Sequence, residues 1–336
     1  MLCRVAEDIF WMSRYVERAI AVGRLIEVTW HLELDLGEPD SESSAFWLPL
    51  VGPVAGRDPE AAAHQEVRRY LAFDAKNPDS LVSCVRQARA AARGVRESIS
   101  SEMWEQLNTL YLSLVDPEVT PQAEDELYAF YRRVREGAQF FQGLADITLA
   151  HDEPWEFINL GKYLERAYNV ARVLNLQAYL LHRALDRAAA GDDTVRWLAV
   201  LRSCGCAEAY AQYYSVRVDP ARVVEFLLLN PVFPQSVRFS LGAAWDSLRQ
   251  VASRSGDGPS GASPGVRALG LLRARLEHAA VDEVLEEGLE PYLQDVQARI
   301  VHISEEITRS YLRAEPQPGR LVGVARAAMI MAAQQQ

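Results

Sequence analysis

Lysine is almost missing from this chain of 336 residues: it occurs only at Lys76 and Lys162, so nearly every cation is an arginine. Arginine grips carboxylates and phosphates in a planar, two-pronged geometry that lysine cannot reproduce. Genomic base composition would produce the same bias. Cysteine is also scarce. Cys3, Cys84, Cys204 and Cys206 are too few and too irregular for a disulfide framework or a paired zinc-knuckle motif, so reduced, mostly buried thiols are expected. Surplus positive charge is absent. The formal net charge is -11, which argues against a general nucleic-acid binder, because such proteins need basic surface to displace counterions from phosphates. Long apolar runs are lacking as well. The stretch from Leu321 to Ala333 is interrupted by Arg326 and is too short to cross a bilayer. The opening MLCRVAEDIFWMSR carries Arg4, Glu7 and Asp8, which deny it the apolar centre of a signal peptide. A soluble, cytoplasmic protein without membrane contact is the expectation.

Catalytic signatures are missing too. There is no Walker A loop, no GxGxxG and no GxSxG elbow. The six histidines form neither HExxH nor a repeated metal spacing, and a di-iron bundle would need Glu-x-x-His on two helices. His302 with Glu305 is the reverse order, and His151-Asp152-Glu153 reads as a polar turn and helix start. Cys204-Gly205-Cys206 reads as small packing residues rather than a redox pair. No cofactor and no metal site is expected, and a non-enzymatic role is favoured over an enzymatic one.

What is present is a core. With 49% apolar and 24% charged residues the composition is that of an ordinary globular protein, and the length suits two domains or one large core built from a duplicated unit. A repeat is visible. FWMSRYVERAIAVGRLIE at 10–27 aligns without gaps to INLGKYLERAYNVARVLN at 158–175, with Tyr15, Glu17, Arg18, Ala19, Val22 and Arg24 matched. Trp47-Leu48 returns as Trp197-Leu198, and VRRYLAFDAKNPDSL at 67–81 returns as VVEFLLLNPVFPQSV at 223–237. The order is kept while the offset grows slowly, as an old duplication with small insertions would leave it. The expected division is a first helical repeat over 1–150, a second over 151–315 sharing one core with it, and a tail over 316–336.

Convincing strand alternation appears nowhere, so the fold class is all-α: a helical bundle of two degenerate repeats related by a pseudo-twofold axis. The first ER helix has a seam of Leu2, Val5, Ile9, Met12, Val16, Ala19, Gly23 and Ile26. Its counterpart has Phe157, Leu160, Leu164, Ala167, Ala171, Leu174 and Leu181. The small residues Ala19, Gly23, Ala167 and Ala171 predict that the two helices cross there. Asn77-Pro78 predicts a helix running to about Ser100, Asp219-Pro220 another, Glu124 to Ala150 a third, Asp193-Thr194 one to about Ser215, and Val266 to Leu312 two long ones. Loops are expected at Gly37–Ser44 and Ser253–Pro264.

The candidate chemistry lies on a second face of the ER helices. Glu7, Trp11, Arg14, Glu17, Arg18 and Arg24 lie off the seam, interleaved with Phe10, which implies that this face is covered as well. One reading makes these residues structural Glu-Arg pairs, with Glu17 set two turns from Arg24 as Glu165 is from Arg172. The other makes them a cleft for an anion or carboxylate, built from Arg14, Glu17, Arg18, Arg24, Glu165, Arg166 and Arg172, with Arg238 of FPQSVRFSL. A second series, Arg86, Arg89, Arg93 and Arg96, is either a solvated face or a docking surface for an acidic partner.

MLCRVAEDIFWMSRYVERA and WEFINLGKYLERAYNVARVL, supported by FDAKNPDSL with its arginine series and by FPQSVRFSL, resemble the bacterial Alpha-E family of helical domains with an ER motif. The resemblance covers roughly residues 1 to 312. Where the family tends to read ERAEN this chain has Ile20 and Ala21, although Asn169 stands in the second copy; where it tends to read AREN this chain has Ala90 and Ala91. Members are encoded beside, or fused to, circularly permuted ATP-grasp ligase-like proteins, often with transglutaminase-like proteases. The resemblance therefore implies an accessory protein that works with such a ligase in forming or modifying peptide or amide bonds, with an anionic or peptide ligand as a further option. The competing expectation is an enzyme that uses Glu17 or Glu165 as general acid or base.

Overall fold

The computed structural model describes residues 1–36, 64–115, 124–186, 193–215, 217–255 and 263–312. Among these residues there are thirteen α-helices and no strand. In chain order they are α1 (Cys3–Leu36), α2 (His64–Ala72), α3 (Leu81–Gly94), α4 (Ser101–Val115), α5 (Glu124–Thr148), α6 (Glu153–Asp186), α7 (Asp193–Ser203), α8 (Ala207–Tyr213), α9 (Pro220–Leu229), α10 (Val237–Arg254), α11 (Pro264–His278), α12 (Val281–Glu287) and α13 (Leu289–Tyr311). The expectations for Gly37–Ser44, for Trp47-Leu48, for the middle of Ser253–Pro264 and for the tail lie outside the described residues.

Local chemistry sets the helix ends. Asp219 caps α9 by accepting from the Arg222 amide, and Pro220 follows at the first helical position. The start of α3 falls later than Asn77-Pro78 predicts. Asn77 spends its side chain on a turn, accepting from the Asp79 amide at 3.0 Å and donating to the Tyr70 carbonyl, and Ser80 becomes the cap through the Ser83 amide. The helix also stops at Gly94 instead of continuing to Ser100, and α4 opens anew at Ser101. The helix expected from Asp193 to Ser215 is broken into α7 and α8, because Gly205 takes a φ of 64° that ends the first segment. The two long helices expected after Val266 are three, divided by a turn at Ala279-Ala280 and by Gly288 with a φ of 102°.

α1 and α6 are the two long central helices, 34 residues each. Around α1, the helices α3, α4 and α5 close a four-membered ring in which each packs on the next. Around α6, α10, α11 and α13 close another in the same manner. The rings meet where α1 packs along α6, α7 packs on both of these helices, and α8, α9 and α12 fill in around the second ring. The largest apolar cluster runs through both, joining Phe10, Met12, Met103 and Phe141 to Leu164, Phe226, Leu248 and Ile300. A smaller cluster of Val22, Ile26, Trp30, Leu81, Leu110 and Tyr131 fills the far end of the first ring.

The seam of α1 is buried from Ile9 onward, while Val5 is half-buried and Leu2 at its start is exposed. The crossing point differs from the one that Ala19 and Gly23 predict. Ser13 donates to the Ile158 carbonyl at 2.6 Å, and a Cβ on Gly161 would collide with the Phe10 carbonyl. The backbones therefore touch at Phe10–Ser13 and Ile158–Gly161. Gly23 instead faces Leu81, Tyr131 and Arg135 of the α3 and α5 side, where an added Cβ would sit at ordinary contact distance. Crossing at Ser13 carries the next two turns of both helices alongside each other. Their charged residues are thereby brought into register.

Candidate functional site

One turn beyond the crossing, the two ER pairs exchange partners. Glu17 of α1 accepts from Arg166 of α6, at 2.7 Å from Nε and 3.1 Å from Nη2. Glu165 of α6 accepts from Arg18 of α1, at 2.7 Å from Nε and 3.0 Å from Nη2. Each carboxylate is thus held by a two-pronged contact from the opposite helix. The pairing Glu17–Arg24 and Glu165–Arg172 expected within each helix does not form. Seven residues are about 10 Å of helix rise, too far for one direct contact when a partner waits across the interface.

Each pair has an additional guard. Glu165 also receives Arg14 Nε at 2.7 Å, and Arg18 reaches Asp79 in the turn before α3 at 2.6 Å. Glu17 also receives the Gln142 side-chain amide from α5, while Arg166 Nη1 lies 3.4 Å from the Pro234 carbonyl in the turn before α10. The Arg14 guanidinium lies 4.9 Å from the centre of the Trp11 ring, and its Nη1 and Nη2 have no hydrogen-bond partner among the described residues. Arg14 is 0% exposed, Glu165 1%, Arg18 3% and Glu17 4%. Those values decide the matter of access: no substrate reaches either carboxylate while the pairs are intact.

The electrostatics agree. Burial alone would push Glu165 up, but the Arg18 and Arg14 guanidiniums outweigh it and hold the carboxyl at about 2. Burial also opposes the charge on Glu17, and Arg166 with Gln142 nevertheless keeps it below its ordinary value. Arg18 is desolvated too, yet Glu165 and Asp79 raise it well above the usual arginine value. A general acid or base at neutral pH needs a value near the working pH, and Glu165 is a fixed anion. Both carboxylates are suited to holding helices together.

The other expected residues lie outside this interlock. Arg24 is half-buried with its guanidinium against Gly205. Arg172 is half-buried near Tyr168 and Cys84. Arg238 turns Nη1 toward the Leu229 carbonyl at 3.3 Å. In the second series, Arg89 donates to Asn108 at 2.9 Å and lies 4.4 Å from the centre of the Tyr111 ring, and Arg96 lies 4.9 Å from that of Trp104. Arg86 and Arg93 are exposed, so this face alternates free and ring-seated cations. The thiols of Cys84, Cys204 and Cys206 are buried and pushed up by that burial, that of Cys204 to about 12.

Three participants escaped the sequence reading: Asp79, Gln142 and Lys162. Asp79 comes from the turn before α3 and Gln142 from α5, and no spacing within the ER segments could reveal them. Lys162 carried a signal, being one of two lysines and one turn before Arg166. It lines a small cavity with Ser13, Gln142, Asp146, Trp155 and Asn159, which has room for about one water molecule. Burial and the neighbouring Arg166 lower its amine to about 8. Among the described residues, no group of three or more His, Cys, Asp or Glu is placed to hold a metal ion, and no helix is long and apolar enough to cross a membrane.

The sequence model of a family described as a predicted alpha-helical domain with a conserved ER motif, Alpha-E, matches residues 1–312. An uncharacterised protein of Mycobacterium bovis is 26% identical over 321 residues, covering 88% of this chain and 35% of the relative. Two uncharacterised proteins of Mycobacterium tuberculosis match with the same identity and coverage. The chain therefore spans about a third of the length of the curated relatives it matches. No solved structure matches it.

Proposed function

The chain belongs to the Alpha-E family, and from that premise we propose that it is a rigid, non-catalytic docking module that works with an ATP-grasp-type ligase in forming or modifying peptide or amide bonds. The observation that carries the non-catalytic part is the sealed exchange of Glu17–Arg166 and Glu165–Arg18. It engages the ER residues with each other and leaves no acid, base or nucleophile among them open to a substrate. The partner follows from the family resemblance, and the greater length of the relatives leaves room in them for a fused second component.

The module is best understood as two copies of one unit. Several features support that reading: the exchanged ion pairs, the two rings, and Ser80 and Ser236 capping α3 and α10 at matching positions with nearly equal backbone angles. In such a dimer within one chain, the ER pair has the role that an isologous contact has between subunits. The docking face that suits an acidic partner is α3, where Arg86 and Arg93 project beside the Arg89 and Arg96 cations seated on Tyr111 and Trp104. A cytoplasmic setting fits the reduced thiols.

Affinity purification from the native host tests this directly. Wild-type protein should recover an ATP-grasp-type ligase, and the Arg86→Glu/Arg93→Glu variant, folded by circular dichroism, should lose it. A wild-type purification that brings down no such ligase would contradict the proposal.

A further inference from the structure

Helices α5 and α13 take matching places in the two rings: α5 packs on α1 and α4, and α13 on α6 and α11. Their outward faces differ. That of α13 is mainly polar, with Ala298, Arg299, His302 and Arg309 exposed. On α5, Phe140 is 58% exposed and Ile147 78%, and Gly143 between them has nothing within 4 Å of where a Cβ would stand. Steps of three and four put these residues on one side of the helix, and Glu136 and Arg133 continue that side toward its N-terminus. A lone exposed apolar side chain needs no explanation. Two large ones in line, with an open glycine between them, form a patch, and α13 shows that a ring helix does without one.

We propose that this face is the contact between two copies of the chain, which pack their α5 helices antiparallel about a twofold axis beside Gly143. The charges decide the occupant. Arg133 stands ten residues before Gly143, and Asp152 nine residues after it, in the turn that follows α5. Both are exposed, and among the described residues neither has an ion-pair partner. That turn is held against the end of α5, since a ring nitrogen of His151 lies 3.3 Å from the Asp146 carbonyl and the same ring stacks on Trp155 at 3.9 Å. An antiparallel copy reverses the order of the strip, so the Arg133 of each meets the Asp152 of the other. The same reversal sets Phe140, three residues before Gly143, against Ile147, four after it. One register thus satisfies the charged and the apolar positions together.

Other occupants fit less well. A parallel copy would oppose Arg133 to Arg133, and a partner of one charge sign would satisfy only one end of the strip. The open space over Gly143 leaves room for the opposing Phe140 and Ile147 side chains. Because the contact is the same patch on both copies, it closes at two. From Arg133 to the end of α5 at Thr148 is about 22 Å of helix, a strip rather than a broad face. Association of that extent belongs with small, reversible interfaces rather than with obligate dimers. The Arg86–Arg96 series lies on α3, a different element of the first ring, so the inference is independent of the docking role.

Sedimentation velocity of the full chain tests this. Wild type should be dimeric by about 100 μM, in the range of reversible interfaces, and Phe140→Asp/Ile147→Asp should stay monomeric there. Exchange of charge tests the register. Arg133→Asp and Asp152→Arg should each weaken the dimer at least about tenfold, because two like-charge contacts replace two ion pairs. A mixture of these two variants restores both ion pairs and should recover the dimer. The substituted positions are exposed, and circular dichroism verifies that each variant is folded. A wild type still monomeric at about 100 μM would overturn the proposal. So would a dimer that survives Phe140→Asp/Ile147→Asp, or a mixture no more associated than its components.

Discussion

A buried arginine on a buried carboxylate cannot be removed alone without stranding its partner. Arg166→Ala would leave Glu17 with only the Gln142 amide, and should cost about 3–5 kcal/mol in urea unfolding, as one-sided loss of a buried pair does. Acid should weaken the same interlock. Glu165 is held at about 2 and Glu17 is lowered, so both are more acidic folded than unfolded. Their contribution is complete above the ordinary glutamate range near pH 4.5 and fades as pH falls toward 2. A Glu165→Gln variant should lose much of the acid-side slope measured by denaturant midpoints. Lys162 has the opposite sense. Its folded value, about 8, lies below the unfolded one, so its desolvation penalty is fully present below pH 8 and is relieved as pH rises toward 10.5. Lys162→Met should therefore flatten the stability profile between those limits relative to wild type. At this scale the sequence singled out Glu17, Arg18, Glu165 and Arg166, grouped them with Arg24, Arg172 and Arg238, which lie outside the interlock, and missed Asp79 and Gln142. It places Glu17 near Arg24 along one helix, whereas the partner comes from a helix well over a hundred residues away.

Helices α1 and α6 owe their register to their crossing. Gly161→Ala would press a Cβ into the Phe10 carbonyl, and since neither backbone can yield cheaply, a loss of about 1–3 kcal/mol is expected in thermal or urea unfolding. Gly143→Ala on α5, where nothing lies within 4 Å, should be neutral or slightly stabilising in the same assay. The caps offer a matched pair: Ser80→Ala and Ser236→Ala should each cost about 1 kcal/mol. Helix existence was legible from apolar periodicity, and Asp219-Pro220 marked the start of its helix to the residue. Asn77-Pro78 misled because an Asn that can cap a helix can equally close a turn, and only the packing of Tyr70 and Asp79 chooses between them. The crossing misled for a related reason. Small residues permit close approach without requiring it: Gly161 lies against the Phe10 carbonyl of α1, whereas Gly23 faces α3 and α5 at ordinary contact distance.

As a whole, the molecule is two helical rings joined along α1 and α6, with one apolar cluster through both and the exchanged ER pairs at the join. The all-helical class was legible from the want of strand alternation. Which faces meet was not, because helices with two buried faces, as α1 has, show no single stripe to aim. Reciprocal placement explains why arginine and glutamate persist where apolar packing would also fill the space: an ion pair accepts only one register of one helix against the other. A double-mutant cycle on Glu17 and Arg166, read by urea unfolding of wild type, Glu17→Gln, Arg166→Met and the double variant, measures this most directly. The interlock predicts a coupling of about 2 kcal/mol or more, with the double variant more stable than the sum of the single losses implies. Losses that simply add, with coupling below about 0.5 kcal/mol, would contradict a structural interlock and return the ER face to the candidates for ligand binding.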